Sequence, residues 1–310
     1  MSNLIEVYSD TLCRLAYENK RIVLIDCDLS KSFRSQRFQQ QFPDRYYNVG
    51  IAEQNAISIA AGLAAKGLYP VVQMFACFAS TRCCDQIRNS LAINDLPVLI
   101  VGGKPGITDG QGGVTHQAIE DYGIISSIPN ISIFSPINSM QIHLAFQKLL
   151  SGAGPCYLRL FDIESYDPIL KYPTSEWFSI FSGTTFSIIT TGDQFQNCCT
   201  AIEELNKYNI NASLIYINML KPLPSDSRLL SLLQNQTDIL VVETHNEING
   251  LGSHIIQKYR KQIAANIESL AIRDHFAESG TYAELCSSLH IDADAITQVA
   301  IQLLFTKEKK

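Results

Sequence analysis

The sequence predicts an α/β protein of two domains, each built on a mostly parallel sheet flanked by helices. Short apolar runs alternate along the chain with longer stretches of helical periodicity, a pattern typical of parallel strands covered by helices. The 310 residues suffice for two domains of ordinary size. With 46% hydrophobic and 17% charged residues, the composition is that of a well-buried globular protein, neither disordered nor coiled-coil.

The apolar runs are strand candidates, because a strand buried on both faces is an almost continuous apolar segment. They cover residues 21–27, 71–74, 97–101 and 131–135, then 186–190, 212–217, 238–242 and 269–272. Predicted helices cover 4–19, 52–66, 78–93 and 138–150, then 193–208, 226–235, 249–264, 281–288 and 292–304. The helix at 138–150 follows Ser-Pro-Ile-Asn, a good capping context.

The periodicity fails between Asp162 and Gly183. Pro168, Pro173 and several aromatic residues lie in this segment, and neither a helical nor a strand period runs through it. We therefore predict a surface linker that divides the chain near residue 175, into domains of residues 1–175 and 176–310.

Charge and cysteine usage narrow the class of protein. The net charge of −6, with no basic run before the lysine-rich tail at 307–310, argues against a nucleic-acid partner. The sequence has no apolar stretch of membrane-spanning length and no basic start followed by an apolar signal core. The nine cysteines, an odd number, suit reduced thiols better than a disulfide framework. These features predict a cytoplasmic protein without membrane association.

A glycine-rich loop follows the predicted strand at 97–101. Six of the fifteen residues 102–116 are glycines, which let a backbone approach a ligand closely. Ligands in such sheets bind beyond the carboxyl ends of the strands, where this loop begins. The loop closes on Thr-His-Gln before a helix, which favours a functional site over a flexible surface loop.

Residues 47–62, Tyr-Asn-Val-Gly-Ile-Ala-Glu-Gln-Asn-Ala-Ile-Ser-Ile-Ala-Ala-Gly, are the most informative segment. A turn containing Gly50 leads into a helix of small and apolar residues with one acid, Glu53, in its first turn. A carboxylate there lies at the positive end of the helix dipole, and its burial costs free energy unless it has a partner. The segment resembles the stretch of transketolases and related thiamine-diphosphate enzymes whose glutamate hydrogen-bonds the cofactor's aminopyrimidine ring.

The resemblance to the transketolase family extends over nearly the whole chain. The motifs that follow the family order are Asp28-Leu29-Ser30, 50–62, Phe75-x-x-Phe78, 85–88, Thr115-His116-Gln117 and 155–160, and then 241–245, 250–252 and 274–280. They imply a pyrimidine-binding domain in residues 1–175 and a transketolase C-terminal domain in 176–310. The family's other half, which binds the diphosphate through a metal held by a Gly-Asp-Gly and Asn pattern, has no counterpart in the sequence.

The resemblance therefore implies the C-terminal subunit of a split transketolase. A separate N-terminal subunit would hold the diphosphate and an Mg²⁺ or Ca²⁺ ion, and thiamine diphosphate would lie between the two chains. This chain would hold no metal itself, would assemble with its partner into a heterotetramer, and would be inactive alone. The implied reaction transfers a two-carbon ketol unit from a ketose, or a ketose phosphate, to an aldose.

Glu53 and His116 are the catalytic candidates that the resemblance implies. In the family the acid shares a proton with the pyrimidine N1′, which calls for an apolar pocket because a solvated carboxylate is ionised at neutral pH. The alternative is an acid that interacts only with the helix dipole. His116 matches a histidine that contacts substrate oxygens, where it can stabilise an alkoxide or move its proton. Its alternative is a satisfied polar residue.

Phe75, Phe78, Arg82 and Asp28 are further cofactor-binding candidates. The first three share one helical face if the helix begins this early, and aromatic residues at that spacing are most often core. In their context, however, the two rings resemble the family's aromatic pocket, which stacks on the pyrimidine. An alternative for Arg82 is an ion pair with an acid of the partner chain. Asp28 matches an acid near the thiazolium ring, or else it caps the turn after its strand.

Two positions depart from the family pattern at the substrate. Gly112 stands where the family has an aspartate that contacts a sugar hydroxyl, and Asp109 compensates only if the loop folds differently. Ile5 stands at the position of a phosphate-binding arginine, so a bidentate clamp is lost. Two other matches to the phosphate site remain, Ser32 and Arg159. We therefore expect a substrate other than the usual pentose phosphates, such as a modified sugar.

Three alternatives to a split transketolase stay open. The β subunit of a 2-oxo acid dehydrogenase usually has a different sequence around the loop histidine, and a deoxyxylulose-phosphate synthase normally keeps both halves in one chain. A degenerate paralogue that only regulates a partner would explain Gly112 and Ile5. Retention of Glu53, Phe78 and His116 together argues against that paralogue. The segment Glu243-Thr244-His245 of the second domain is predicted to be structural and dimer-forming.

Overall fold

The computed structural model of this chain describes residues 2–166, 176–181 and 183–305. Within these ranges, two mostly parallel sheets are flanked by helices, which is the predicted fold class. The domain boundary expected near residue 175 lies outside the described residues and stays a prediction.

The first sheet has the strand order β10-β5-β6-β4-β3-β1-β2, and all its neighbours run parallel except β10 against β5. Its strands are β1 (Ile22–Asp26), β2 (Tyr46–Asn48), β3 (Tyr69–Phe75), β4 (Leu99–Gly103), β5 (Ser132–Phe134), β6 (Cys156–Leu160) and β10 (Met219–Lys221). Because β4 lies at its centre, the glycine-rich loop leaves the carboxyl edge of the sheet, as the sequence predicted.

The second sheet has the order β12-β11-β8-β9-β7, with β7 antiparallel to β9 and the other pairs parallel. Its strands are β7 (Trp177–Ile180), β8 (Phe186–Thr190), β9 (Ala212–Ile217), β11 (Asp238–Asn246) and β12 (Asn266–Ile272). Each sheet therefore carries one antiparallel strand at an edge, a common feature of α/β folds.

Helices cover both sheets. They are α1 (Leu4–Glu18), α2 (Gln36–Gln41), α3 (Glu53–Ala65), α4 (Cys84–Gln86), α5 (Asp121–Ser126), α6 (Ser139–Leu150), α7 (Phe195–Lys207), α8 (Ser227–Gln234), α9 (Leu251–Tyr259), α10 (Tyr282–Ser288) and α11 (Ala293–Phe305). The predicted cap of α6 is confirmed, because the Asn138 side chain accepts a hydrogen bond from the backbone N–H of Gln141 at 2.9 Å.

All eight predicted strands are present, β8 and β9 with the predicted bounds and the other six with shifted ends. The strands β2, β6, β7 and β10 and the helices α2 and α5 were not predicted. The prediction of one regular helix over 78–93 is wrong. Wide π-helical turns at Phe78–Arg82 and Ile87–Ala92 flank the short α4. Phe75 ends β3, so it does not share a helical face with Phe78 and Arg82. Single π-turns inside helices often mark functional sites.

The two halves of the chain interlock. β10 follows β9 of the second sheet directly and crosses to pair with β5 of the first, with Met219 opposite Phe134. β7 lies inside the segment that we predicted as a linker, where it pairs with β9 through Trp177 and Ile217. The prediction of a structureless linker over 162–183 is therefore wrong for residues 177–180. Short edge strands lack the long apolar run that revealed the central ones.

In the described part of the chain, every helix is too short or too polar to span a lipid bilayer. The cytoplasmic location inferred from the sequence stays a prediction.

Candidate active site

Glu53 is the first residue of α3, and only 3% of its side chain is exposed. The turn before it depends on Gly50, whose φ of +71° favours glycine, and the side chain of Asn48 accepts the Gly50 N–H at 2.9 Å. The preceding residue, Ala52, gives α3 no side-chain cap. Glu53 thus stands in the first turn of α3, at the positive end of the helix dipole, as predicted.

Arg82 is the ionic partner of Glu53. Its Nη1 lies 2.6 Å from Glu53 Oε2, and its side chain is 43% exposed. The same guanidinium stacks on Phe78, with Cζ 4.2 Å from the ring centroid. Arg82 therefore has an acidic partner within its own chain, and a pair with an acid of another chain stays a prediction. The predicted apolar pocket around Glu53 therefore also contains a charged group, the partly exposed guanidinium of Arg82.

Phe75, Phe78 and His116 form an aromatic cluster beside this ion pair. The His116 ring centroid lies 5.8 Å from that of Phe75 and 5.5 Å from that of Phe78, both edge-on, and the two phenyl rings are 6.2 Å apart. All three side chains are half-buried. The structure thus brings together five residues that the sequence singled out: Glu53, Arg82, Phe78, Phe75 and His116.

The glycine-rich loop adds two charged residues that the sequence analysis did not assign to the site. Lys104 Nζ lies 3.0 Å from Asp109 Oδ1 and 5.8 Å from the centroid of the Phe75 ring. A Cβ placed on Gly112 would lie 3.1 Å from Asp109 Oδ2 and 3.0 Å from the Cβ of His116. The Asp109 carboxylate therefore occupies the space of a side chain at position 112. A lysine directly after a strand end was the available sequence signal.

Asp28 lies at the same edge of the sheet, exposed, with φ of +64°. Its Oδ1 accepts a hydrogen bond from Asn48 Nδ2 at 3.1 Å. Asp28 does not cap the turn after β1, since the fully buried Asp26 does so by accepting the Leu29 N–H at 3.2 Å. Gln73 Nε2, at 2.5 Å, also donates to Asp26.

The predicted substrate contacts lie in different environments. Ser32 is half-buried in the turn between β1 and α2. Arg159 on β6 is 2% exposed, and its Nε and Nη2 donate at 2.9 Å to the two carboxylate oxygens of the fully buried Asp121. Tyr157 OH donates to the same carboxylate at 3.0 Å. The guanidinium of Arg159 is thus paired and enclosed, and its predicted contact with a substrate phosphate stays a prediction.

Ile5 is 4% exposed and packs in the core beneath α1. The side chain at this position therefore faces the protein interior.

The segment Glu243-Thr244-His245 links elements within the chain. The buried Glu243 carboxylate caps α9 by accepting the N–H groups of Leu251 at 2.7 Å and Gly252 at 3.0 Å. His245 Nε2 accepts the Gly123 N–H of α5 at 3.1 Å, and burial lowers the pKa of its imidazole. A structural role within the chain therefore accounts for these side chains, and a role in dimer formation stays a prediction.

No group of three or more potential metal-ligating His, Cys, Asp or Glu side chains occurs in the described ranges 2–166, 176–181 and 183–305.

Comparison with known proteins agrees with this architecture. Residues 2–162 match the transketolase pyrimidine-binding domain and residues 180–296 the transketolase C-terminal domain. A 6-deoxy-6-sulfo-D-fructose transketolase subunit of Clostridium sp. (strain MSTE9) is 33% identical over 300 residues, 95% of this chain and 92% of that protein. A transketolase C-terminal section of Methanocaldococcus jannaschii is 30% identical, covering 94% of this chain and 93% of its own length.

Solved structures give the same result. A split gene transketolase, described as an inactive β4 tetramer, superposes with a TM-score of 0.85 at 29% identity, with 98% of each chain covered.

The 1-deoxy-D-xylulose-5-phosphate synthase of Shouchella clausii is 30% identical, but this chain spans only 49% of it. Such synthases are related family members rather than full-length counterparts.

The chain belongs to the transketolase family, whose thiamine-diphosphate chemistry is that of a transferase. Its similarity to separate transketolase subunits over nearly their whole length confirms the predicted resemblance to the C-terminal subunit of a split transketolase. It is thus a transketolase subunit, one part of a multi-subunit enzyme.

Proposed function

We propose that this chain grips the pyrimidine half of thiamine diphosphate and works with an N-terminal subunit that holds the diphosphate and an Mg²⁺ or Ca²⁺ ion. The observation that carries the proposal is the joining of Glu53, Arg82, Phe75, Phe78 and His116 in one half-open cluster. Ile51 and Val114, next to this cluster in sequence, are 77% and 47% exposed. An apolar rim of this kind suits a partner chain that closes the site.

The residues of the cluster fit an aminopyrimidine ring. The guanidinium of Arg82 is planar and nitrogen-rich, and it both stacks on Phe78 and donates an N–H to Glu53. A pyrimidine ring with an amino group needs the same two contacts, a flat aromatic face and a carboxylate acceptor. Phe75 and Phe78 would orient the ring, and Glu53 would hold a proton at the pyrimidine N1′. Arg82, the exposed member of its ion pair, is free to turn outward.

When bound, thiamine diphosphate supplies the electron-accepting thiazolium ring needed to break and re-form a carbon–carbon bond. His116 lies across the aromatic cluster from Glu53, where its imidazole can hydrogen-bond a substrate hydroxyl and take or return a proton. Asp28, at the same sheet edge, stays a candidate for the thiazolium side, and Ser32 one for the substrate.

For the substrate we propose a ketose modified at its anionic end, such as a sulfonated ketose. Ile5 is buried and Arg159 is paired with Asp121, so two of the family's phosphate-binding positions are unavailable. The Asp109 carboxylate lies beside Gly112 and His116, where it would contact a sugar hydroxyl in place of an aspartate at 112. The relative at 33% identity is named for 6-deoxy-6-sulfo-D-fructose.

Reconstitution tests the proposal. The chain is mixed with its N-terminal partner, thiamine diphosphate and Mg²⁺, and ketol transfer from 6-deoxy-6-sulfofructose is compared with transfer from xylulose 5-phosphate. We expect activity only from the pair, preference for the sulfonated ketose, and a mass in light scattering that fits a heterotetramer. Activity of the chain alone would contradict the split site. Equal or better turnover of the pentose phosphate would contradict the substrate proposal.

A further inference from the structure

Part of the glycine-rich loop (residues 102–116) packs against the second domain. Its ends are joined by mutual backbone hydrogen bonds between Gly106 and Ala118, at 2.9 and 2.8 Å. Ile107 in the loop and Ile119 just after it are buried in one apolar cluster. The other buried members of this cluster come from the second domain: Ile272, Ala277, Leu285, Cys286 and Ile291. The loop is therefore anchored by the core of the domain that does not contain the aromatic cluster.

The loop glycines are explained by this contact. A Cβ on Gly110 would lie 2.4 Å from the carbonyl oxygen of Gly280 and 2.7 Å from Leu285 Cδ1. A Cβ on Gly113 would lie 2.5 Å from Ser279 Oγ. Close backbone approach was predicted here for a ligand, whereas the structure shows that these two glycines make room for the second domain.

Polar contacts fix the register of the loop on this surface. The N–H of Gly280 donates to the Gly110 carbonyl at 3.1 Å, and Gln117 Nε2 donates to the Glu278 carbonyl at 2.9 Å. Gln117 is 4% exposed, and its neighbour His116 faces the opposite way, toward the phenyl rings. His116 thus directly precedes Gln117, the residue that is hydrogen-bonded to the second domain.

We propose that the second-domain segment Glu278–Gly280 is a positioning element that holds His116 against the aromatic cluster. A loop this rich in glycine has high backbone entropy, so contacts from outside the loop are needed to select one arrangement. The backbone groups of Glu278 and Gly280 supply that template. The role of His116 in the reaction rests on the proposed function, but its placement does not.

The test uses the full chain with its six histidine rings labelled with ¹³C, and the signal that disappears in a His116→Gln variant is assigned to His116. Gly110→Ala adds a methyl group against the Gly280 carbonyl, and Gln117→Met removes the donor to Glu278 without adding a branch. Gln111→Ala, an exposed change in the same loop, is the matched control. We expect Gly110→Ala and Gln117→Met to shift the His116 signal because the ring currents of Phe75 and Phe78 change.

The control should leave that signal in place, and the other five histidines should not move in any variant. An unmoved His116 signal in both loop variants would overturn the proposal. If Gly110→Ala does not fold, Gln117→Met decides alone. In the reconstituted pair, a displacement of about 1 Å should lower kcat up to a hundredfold with little change in KM for thiamine diphosphate. An inactive wild-type pair would overturn the proposed function and leave the signal shift standing.

Discussion

Replacing Arg159 with leucine should destabilise the chain strongly. The guanidinium is 2% exposed and donates two hydrogen bonds of 2.9 Å to Asp121, which is fully buried. Leucine would leave the Asp121 carboxylate with the hydroxyl of Tyr157, at 3.0 Å, as its remaining side-chain donor. Removing one partner of a buried ion pair typically costs about 3–5 kcal/mol, because the other charge stays buried without compensation.

The assay is equilibrium urea denaturation of the full chain at neutral pH, followed by circular dichroism. Arg37→Leu is the matched control, because Arg37 pairs with Asp10 at the surface, with side chains 58% and 67% exposed. We expect that control to lose less than about 1 kcal/mol. The double variant Arg159→Leu with Asp121→Asn should regain part of the loss, because it removes the orphaned charge.

Two results would refute this reasoning. A loss below about 1 kcal/mol for Arg159→Leu would mean that the buried pair is not a significant contributor. A double variant no more stable than the single one would mean that the unpaired charge is not the cause. Unchanged stability with a higher KM for a phosphorylated ketose would instead restore Arg159 to the substrate site.

Three further predictions concern Glu53 in the site, the buried Asp193 before α7, and Gly102 in strand β4. Glu53→Gln keeps an acceptor for Arg82 but cannot exchange a proton, so ketol transfer by the pair should fall at least about a hundredfold while thermal unfolding is unchanged; retained activity would exclude the proposed role. Burial raises the pKa of the Asp193 carboxyl from its ordinary value to about 6. Since the folded state then holds the proton more tightly than the unfolded chain, stability from this group is present below pH 4 and lost as the pH rises through 6, by about 3 kcal/mol. Asp193→Asn should abolish this fall in the free energy of unfolding, measured by urea titrations at pH values between 4 and 7. An unaltered pH dependence would mean that other groups cause it. Gly102→Ala places a methyl group 2.3 Å from Tyr157 OH and should lower the free energy of unfolding by about 1–3 kcal/mol. Gly62→Ala, in open space, should not destabilise the chain, and equal urea midpoints for the two variants would contradict overpacking at Gly102.

The central strands and the long helices were predictable because their signals are local. A parallel strand covered on both faces, such as 186–190, carries its own apolar run, and α6 carries its own Asn138 cap. Glu53 was recognisable because a lone acid stands in a helix of small apolar residues. In contrast, β10 and β7 are three- and four-residue edge strands whose only reason to exist is a partner distant in sequence.

The residues predicted to bind substrate show the same difference between what local sequence indicates and what distant contacts determine. From residue types alone, Arg159 matched a phosphate ligand and Asp109 was an uncertain substitute for the aspartate missing at 112. The structure adds contacts that the sequence did not indicate: Arg159 pairs with Asp121, and the Asp109 carboxylate lies beside Gly112.

The sequence by itself determined the two α/β halves, the family and the residues of the aromatic cluster, because periodicity, glycine content and motif order are properties of neighbouring residues. Only the tertiary structure decided that Arg82 neutralises Glu53, that β10 ties the halves together, and that the second domain supports the His116 loop. Those contacts join residues far apart in the chain. Charge pairing and close packing depend on distance in space, which no local pattern encodes.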